Sequence, residues 1–290
     1  MLNCMKTPKR KDILSILPVI FSVCLFASCT SISTKTYNLT TPLLKEQTQI
    51  KIVLIADLHS TIFGEDQLIL IDKIKTINPD LIILAGDIID DIVPITGTRL
   101  LLEGISNLAP IFYVTGNHEF WTFNIQAIRE ELASYGVTIL SDNYVKIEIN
   151  NNEIIIAGIE DPDKRYYETQ NYNQNESMEN AFKELDEIQL YKILIAHRPE
   201  LIENYKKYSF NLVLSGHAHG GQVRIPPFIN GLYAPHQGVF PKYAGGLYIH
   251  ENLTHIVSRG LSITPQLPRI FNSPELVVII IESIFSETPP

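Results

Sequence analysis

Leu81-Ile82-Ile83-Leu84-Ala85-Gly86-Asp87-Ile88-Ile89-Asp90 decides how the rest of the chain is read. A short apolar run ends at a glycine and then at a carboxylate. The run has the length and composition of a buried strand. A carboxylate just past its end stands where α/β sheets bind ligands, outside the carboxyl ends of their strands. The glycine lets the backbone turn sharply there. Four further stretches also follow apolar runs: Asp57-Leu58-His59, Gly116-Asn117-His118-Glu119, Ala196-His197-Arg198 and Gly216-His217-Ala218-His219. Of the 8 histidines, five fall in these stretches. Nitrogen and oxygen ligands gathered from separate strand ends are what a two-metal hydrolytic site requires.

Working outward, strands are expected over 51–56, 81–85, 111–115, 192–196 and 212–215. Apolar residues at helical spacing mark 66–77, stopped by Asn78-Pro79, and then 98–108 and 125–134. This alternation suggests β-α-β units. Beyond Tyr135-Gly136 the pattern changes. Residues 145–149 and 153–157, separated by asparagines, suggest a hairpin. Residues 161–177 are polar, dotted with tyrosines and read as a loop, with helix resuming over 179–188. Strand candidates follow at 222–225, 247–250, 253–257 and 276–281. The economical reading is a single α/β domain over 50–285, two sheets with helices outside.

The 290 residues are 45% hydrophobic and 19% charged, which permits a substantial core and excludes wholesale disorder. A net charge of −9, with no dense Lys/Arg cluster past the N-terminus, argues against a nucleic-acid partner. Residues 1–29 carry their own message. Lys6, Lys9, Arg10 and Lys11 precede an apolar stretch over 13–27, and Ala27-Ser28-Cys29 leads into the polar run 30–34. The stretch is short for a bilayer-spanning helix, which needs ~20 apolar residues. It reads as a signal peptide or membrane anchor. The pattern resembles a bacterial lipoprotein signal, which implies lipidation at Cys29, although Phe26 departs from the usual small aliphatic residue or leucine. An uncleaved anchor and ordinary cleavage are the alternatives. Each implies an exported or membrane-tethered domain, with residues 30–49 as a tether. All 3 cysteines lie in this segment, so the domain beyond it has neither a disulfide nor a zinc-thiolate site.

Taken singly, most of the motifs have ordinary readings. Asp57-x-His59 alone is a turn, Gly86-Asp87 a strand-to-loop junction, and His197 unremarkable. Two features are more telling: Asn117-His118 sets an amide and an imidazole beside a glycine turn, and His217-x-His219 favours chelation if extended. The joint order decides for a binuclear metal site.

In that order the five motifs resemble the calcineurin-like metallophosphoesterase superfamily, over roughly residues 50–283. The stretches His219-Gly220-Gly221-Gln222-Val223-Arg224-Ile225-Pro226, Ser258-Arg259-Gly260-Leu261 and 268–276 are similar to a membrane-associated bacterial branch related to UDP-2,3-diacylglucosamine pyrophosphatases. The resemblance implies a two-sheet sandwich flanked by helices. It implies that Asp57, His59, Asp87 and His219 hold one metal, with Asp87 bridging to a second completed by Asn117, His197 and His217. His118 would protonate the leaving group, and Asp90 would orient it. The cofactor would be two divalent ions, Mn, Fe or Zn, with manganese named first. A hydroxide activated by these ions would attack a phosphodiester or pyrophosphate in line, and a lipid-linked substrate fits the N-terminal segment. Arg259 and Arg269 are candidates for the substrate phosphate, with a structural ion pair as the alternative. Tyr166, Tyr167 and Tyr172 could form a substrate lip or belong to a solvated insertion. His236, His250 and His255 receive no role. A phosphomonoesterase is the second functional reading, and a non-catalytic metal-holding scaffold the third.

Overall fold

The computed structural model describes residues 31–263 and 268–284, so the expected signal or anchor at 1–29 lies outside the described residues. The first six-stranded sheet is built from β1 (Ser33–Thr41), β2 (Gln49–Ile55), β3 (Leu81–Ala85), β4 (Ile111–Val114), β5 (Thr138–Ile139) and, from the C-terminal end of the chain, β14 (Glu275–Ser283). Its order is β1-β14-β2-β3-β4-β5. The second contains β6 (Asn143–Ile149), β7 (Asn152–Ile159), β8 (Tyr191–Ala196), β9 (Leu212–Ser215), β12 (Gly246–His250) and β13 (Leu253–Val257), in the order β12-β13-β9-β8-β7-β6. A small hairpin, β10 (Tyr233–Ala234) with β11 (Gly238–Val239), stands apart.

Alternation along the strands builds the layers. Ile50, Ile52 and Leu54 of β2, with Leu81 and Ile83 of β3, face inward. There they meet Ile154 and Ile156 of β7, Ile193 and Ile195 of β8, and Leu214 of β9. The intervening residues Val53, Ile55, Ile82 and Leu84 face outward. They pack against Leu70, Ile71 and Ile74 of helix Leu68–Ile77, and Leu101, Leu102 and Ile105 of helix Thr96–Ile105. On the far side, Leu194 and Ala196 pack against Met178 and Phe182 of helix Gln174–Phe182. The result is helix, sheet, sheet, helix, as expected.

Three local expectations fail for identifiable reasons. The supposed tether contains β1, which pairs in parallel with β14 from Ser33↔Glu275 to Thr41↔Ser283. Its outward side chains are polar because it is an edge strand, and that removed the hydrophobic signal. The segment 161–177 is not all loop: it holds a short turn of helix, Lys164–Tyr167, and the start of helix Gln174–Phe182, capped by the Asn173 side chain accepting from the Asn175 N–H. Residues 222–225 form no strand, only the isolated bridges Val223↔Ile270 and Ile225↔Ile229.

β14 is an inner strand, with β1 on one side and β2 on the other, and its Ile279 is fully buried between the sheets. Replacing Ile279 with alanine should lower the unfolding free energy by about 2–5 kcal/mol in a urea titration. A loss below 1 kcal/mol would mean that this layer collapses around the cavity.

Candidate metal centre

The C-terminal ends of β2, β3, β4, β8 and β9 point to one edge of the sandwich, and each releases its polar residue there. Asp57 and His59 follow β2, Asp87 follows β3, Asn117 follows β4, His197 follows β8, and His217 and His219 follow β9. Backbone hydrogen bonds fasten these ends together. The Asp57 N–H donates to the Gly86 carbonyl (3.1 Å) and the His59 N–H to the Asp87 carbonyl (2.9 Å). The sheets are joined by His197 Nδ1 bonded to the Ala85 carbonyl (2.8 Å) and by the His217 N–H donating to Asp57 Oδ1 (2.8 Å).

Two groups of potential ligands result, Asp57/His59/Asp87/His219 and Asp87/His197/His217, with ligand atoms in each within 4.8 Å of one another. Asp87 belongs to both, as a bridging carboxylate must. Its Oδ2 lies 3.1 Å from His197 Nε2 and 3.7 Å from His59 Nε2. Asp57 Oδ2, His59 Nε2 and Asn117 Oδ1 are buried without a hydrogen-bond partner among the described residues. Buried polar atoms are ordinarily satisfied. Divalent cations would satisfy all three, so the donor set fits the expected metals.

The backbone is bent to deliver these groups. Asp57, His59, Asp87, His217 and His219 all have φ between 47° and 67°, a region that costs non-glycine residues on the order of 1–3 kcal/mol. Glu119 holds part of this geometry. Fully buried, its carboxylate accepts from the N–H groups of Asp87 (3.0 Å), Ile88 (2.7 Å), Ile89 (3.1 Å) and Gly116 (2.8 Å). Gly86 has no room for a side chain, since a Cβ there would lie 2.6 Å from His197 Nδ1.

Burial raises Asp57 to about 6. For His197 burial opposes the charged form but is outweighed by Asp87 and Asp57, which raise it to about 10. His59 is likewise raised, because its hydrogen bond to Asp90 and the charge of Asp87 overcome burial. His217 and His219 are held well below the usual imidazole value, by burial first, then by Arg198 for His217 and by His59 for His219. They are therefore neutral and ready to ligate.

His118 stands at the mouth, 23% exposed, its ring centroid 4.3 Å from that of His59. The carboxylate nearest to it is Asp91, not the expected Asp90: Nδ1 lies 2.6 Å from Asp91 Oδ1 and 3.5 Å from Asp90 Oδ2. Asp90 is engaged elsewhere. Its Oδ2 bonds His59 Nδ1 (2.8 Å), and its Oδ1 accepts from the N–H groups of Ile92 and Val93 (2.8 Å each). The two arginines also differ from expectation. Arg259 Nε donates to Glu275 Oε2 (2.7 Å), the ion-pair alternative. Arg269 is buried and donates to the carbonyls of Ser262 (2.7 Å) and Arg259 (2.8 Å), bracing the loop whose Ser262 Oγ lies 3.1 Å from His219 Nδ1.

The sequence reading missed a group behind His217. Buried Arg198 is held by Asp161 (Nε to Oδ2, 2.5 Å; Nη2 to Oδ1, 2.9 Å) and places Nη1 3.3 Å from His217 Nε2. His236 Nδ1 lies 2.7 Å from the same Nη1 and 3.1 Å from His217 Nε2. Asp161 lies just past the end of β7, so the strand-end rule could have found it. Nothing local marks His236, which reaches the site from a loop.

A family model for calcineurin-like phosphoesterases matches residues 50–221. The chain belongs to that family. It is thus a phosphate-ester hydrolase of a divalent-metal-dependent family, with candidate ligands in place. It is 27% identical to YpbG of Bacillus subtilis, an uncharacterized protein, over 93% of this chain and 96% of that one. It is 29% identical to the uncharacterized metallophosphoesterase YkuE of the same organism, over 80% and 79% of the two chains. Among solved structures, its fold is similar to that of Haemophilus influenzae NAD nucleotidase (TM-score 0.53, 16% identity, 75% of this chain). It is also similar to that of a Thermus thermophilus 5'-nucleotidase precursor (TM-score 0.50, 16% identity, 74% of this chain). The chain spans about half of each of these two, 46% and 49% respectively.

Two measurements test the centre. In the metal-free protein His197 holds a proton at neutral pH, and a ligating cation must displace it. Affinity for Mn²⁺ should therefore rise with pH from neutrality toward 10, by up to about tenfold per unit for each proton displaced. It should fall further below about 6, where Asp57 protonates. Chelator competition across this range checks it, and a flat profile would contradict these charge states. Secondly, Glu119→Gln removes a charge and turns a donor toward N–H groups. Its metal affinity should drop about 10–100-fold, read from metal content after dialysis.

Proposed function

We propose that this phosphoesterase hydrolyses a phosphodiester or pyrophosphate with an apolar, lipid-linked portion, at a binuclear centre. Asp57, His59, Asp87 and His219 would hold one cation, and Asp87, Asn117, His197 and His217 the other. Bound there, Mn²⁺, Fe or Zn would supply a water of lowered pKa and neutralise the phosphoryl oxygens. The observation that carries the catalytic reading is His118. It is partly exposed, set against the ligand cluster and tied through one nitrogen to a carboxylate. A carboxylate only accepts, so Nδ1 carries the hydrogen, and Nε2 is left to face the substrate. In its protonated form Nε2 donates to the departing oxygen as the P–O bond breaks. A metal-holding scaffold has no use for such a group. Asp91 would orient His118, while Asp90 positions His59.

The substrate reading is supported by what surrounds His118. Trp121 packs beside it, with ring centroids 4.4 Å apart, and is fixed by its Nε1–H donating to Asp163 Oδ2 (2.8 Å). Just beyond Trp121 and Asp91 stand Phe123 and Ile92, 82% and 80% exposed. The ring of Phe123 meets that of Tyr167 at 5.1 Å, so Tyr167 belongs to this lip. Tyr172 is drawn aside, its hydroxyl bonded to Asp142 (2.9 Å). An apolar lip on the leaving-group side suits a substrate with a hydrocarbon or aromatic portion there, the class to which UDP-2,3-diacylglucosamine belongs. A relative in Danio rerio, 27% identical over 69% of this chain and 49% of that one, is named a transmembrane protein with a metallophosphoesterase domain. Among the described residues here, no helix is long and apolar enough to cross a membrane. Attachment through residues 1–29, of lipoprotein type, is part of the proposal.

The test uses the Mn²⁺-loaded protein and bis(p-nitrophenyl) phosphate. His118→Ala should reduce turnover by about 10²–10⁴-fold with metal content unchanged, and the loss should grow for a substrate with a more basic leaving group. Asp91→Asn should slow turnover without loss of metal, whereas Asp90→Asn should shed metal. Equal effects of the two on metal content would remove this division of labour. Faster cleavage of p-nitrophenyl phosphate than of the diester would favour a monoesterase.

A further inference from the structure

Away from the metal cluster, a polar cavity of about 480 Å³ is lined by Lys35, Tyr37, Arg224, Asn230, Arg259 and Glu275 among others, none of them in that cluster. It holds three cations and one carboxylate in a protein of net charge −9. Glu275 is committed to Arg259, at 2.6 Å from Nη2. Arg224 has no carboxylate within ion-pair distance among the described residues. Its Nη2 donates to the neutral Asn230 Oδ1 (2.6 Å), and its Nε is buried with no partner. Burial and the neighbouring Arg259 both work against its charge. A guanidinium left in this state is matched by an oxyanion, for which its planar fork of donors is shaped.

The surroundings indicate which oxyanion. Ile225, Phe228 and Phe271, beside the bridge of Arg224 N–H to the Ile270 carbonyl, are 47%, 85% and 51% exposed. The chain enters at the same place, since Ser33 Oγ accepts from Arg259 Nη2 (3.2 Å). Cys29, the lipidated residue of the proposed attachment, lies four residues before Ser33, at most about 14 Å of extended chain. Basic groups flanked by exposed apolar side chains, on a short leash from a lipid anchor, match the headgroup layer of a bilayer.

We propose that this cavity binds a phosphate group, supplied by the headgroup of an anionic phospholipid, and seats this face of the domain on the membrane. The inference does not depend on the hydrolytic reading.

The test uses the full-length, metal-loaded chain in detergent, with native mass spectrometry counting bound dioctanoyl phosphatidylglycerol and, separately, bound inorganic phosphate. Wild type should carry phosphatidylglycerol that falls at least fivefold in Arg224→Gln and returns in Arg224→Lys, with diester hydrolysis unchanged. Should Arg224→Gln fail to fold, Lys35→Gln, at an exposed position, should show the same direction. If phosphate binding responds to these substitutions and phosphatidylglycerol does not, the cavity serves a soluble phosphate and the membrane source is overturned. Equal loading of wild type and variants with both probes overturns the site itself.

Discussion

Asp57 and Asp87 are 0% and 1% exposed, side by side at the ends of neighbouring parallel strands. Two buried carboxylates repel each other and lose their hydration, a cost that low-dielectric surroundings make severe. The rest of the site can be read as a response. Imidazoles from both sheets converge on them, and Asp87 stays ionised because His197 outweighs its burial. Three of the candidate ligand atoms, Asp57 Oδ2, His59 Nε2 and Asn117 Oδ1, have no hydrogen-bond partner among the described residues. The centre is thus organised around buried carboxylate charge offset by converging imidazoles.

The candidate ligands come from both sheets: Asp57, His59, Asp87 and Asn117 from the first, His197, His217 and His219 from the second. The hydrophobic layer between them sets their separation, and the bonds from His197 to Ala85 and from His217 to Asp57 tie the edges together. Stability of the sandwich and competence of the centre are therefore linked. Glu119 continues the logic one shell further out, holding the Asp87 turn through four backbone N–H groups rather than touching a metal itself.

Around this centre the chain carries features that the family's metal ligands do not explain. An apolar lip stands beside His118, Arg198 and His236 brace the far side of His217, and a basic cavity lies where the N-terminal segment joins the domain. The first and third both set exposed apolar side chains beside polar groups, and under the two proposals above they would serve an enzyme working at a lipid surface.

Much of this was legible in the sequence because strand ends announce themselves locally. An apolar run of five or six residues, a glycine and a polar residue form a pattern within ten positions, and it located Asp57, Asp87, Asn117, His197 and His217. The two-sheet class followed from the same runs. What local pattern could not supply was anything that depends on a partner distant in sequence. β1 is a strand only because β14, more than 230 residues later, pairs with it. Asp91 rather than Asp90 faces His118 because Asp90 is already occupied by His59, a competition decided in space. His236 and the pairing of Arg259 with Glu275 likewise arise from loops brought together by the sandwich. The sequence determined which residues could hold metal and where each would leave its strand; the tertiary structure decided which carboxylate meets which imidazole, because hydrogen bonds and ion pairs form by proximity and not by order along the chain.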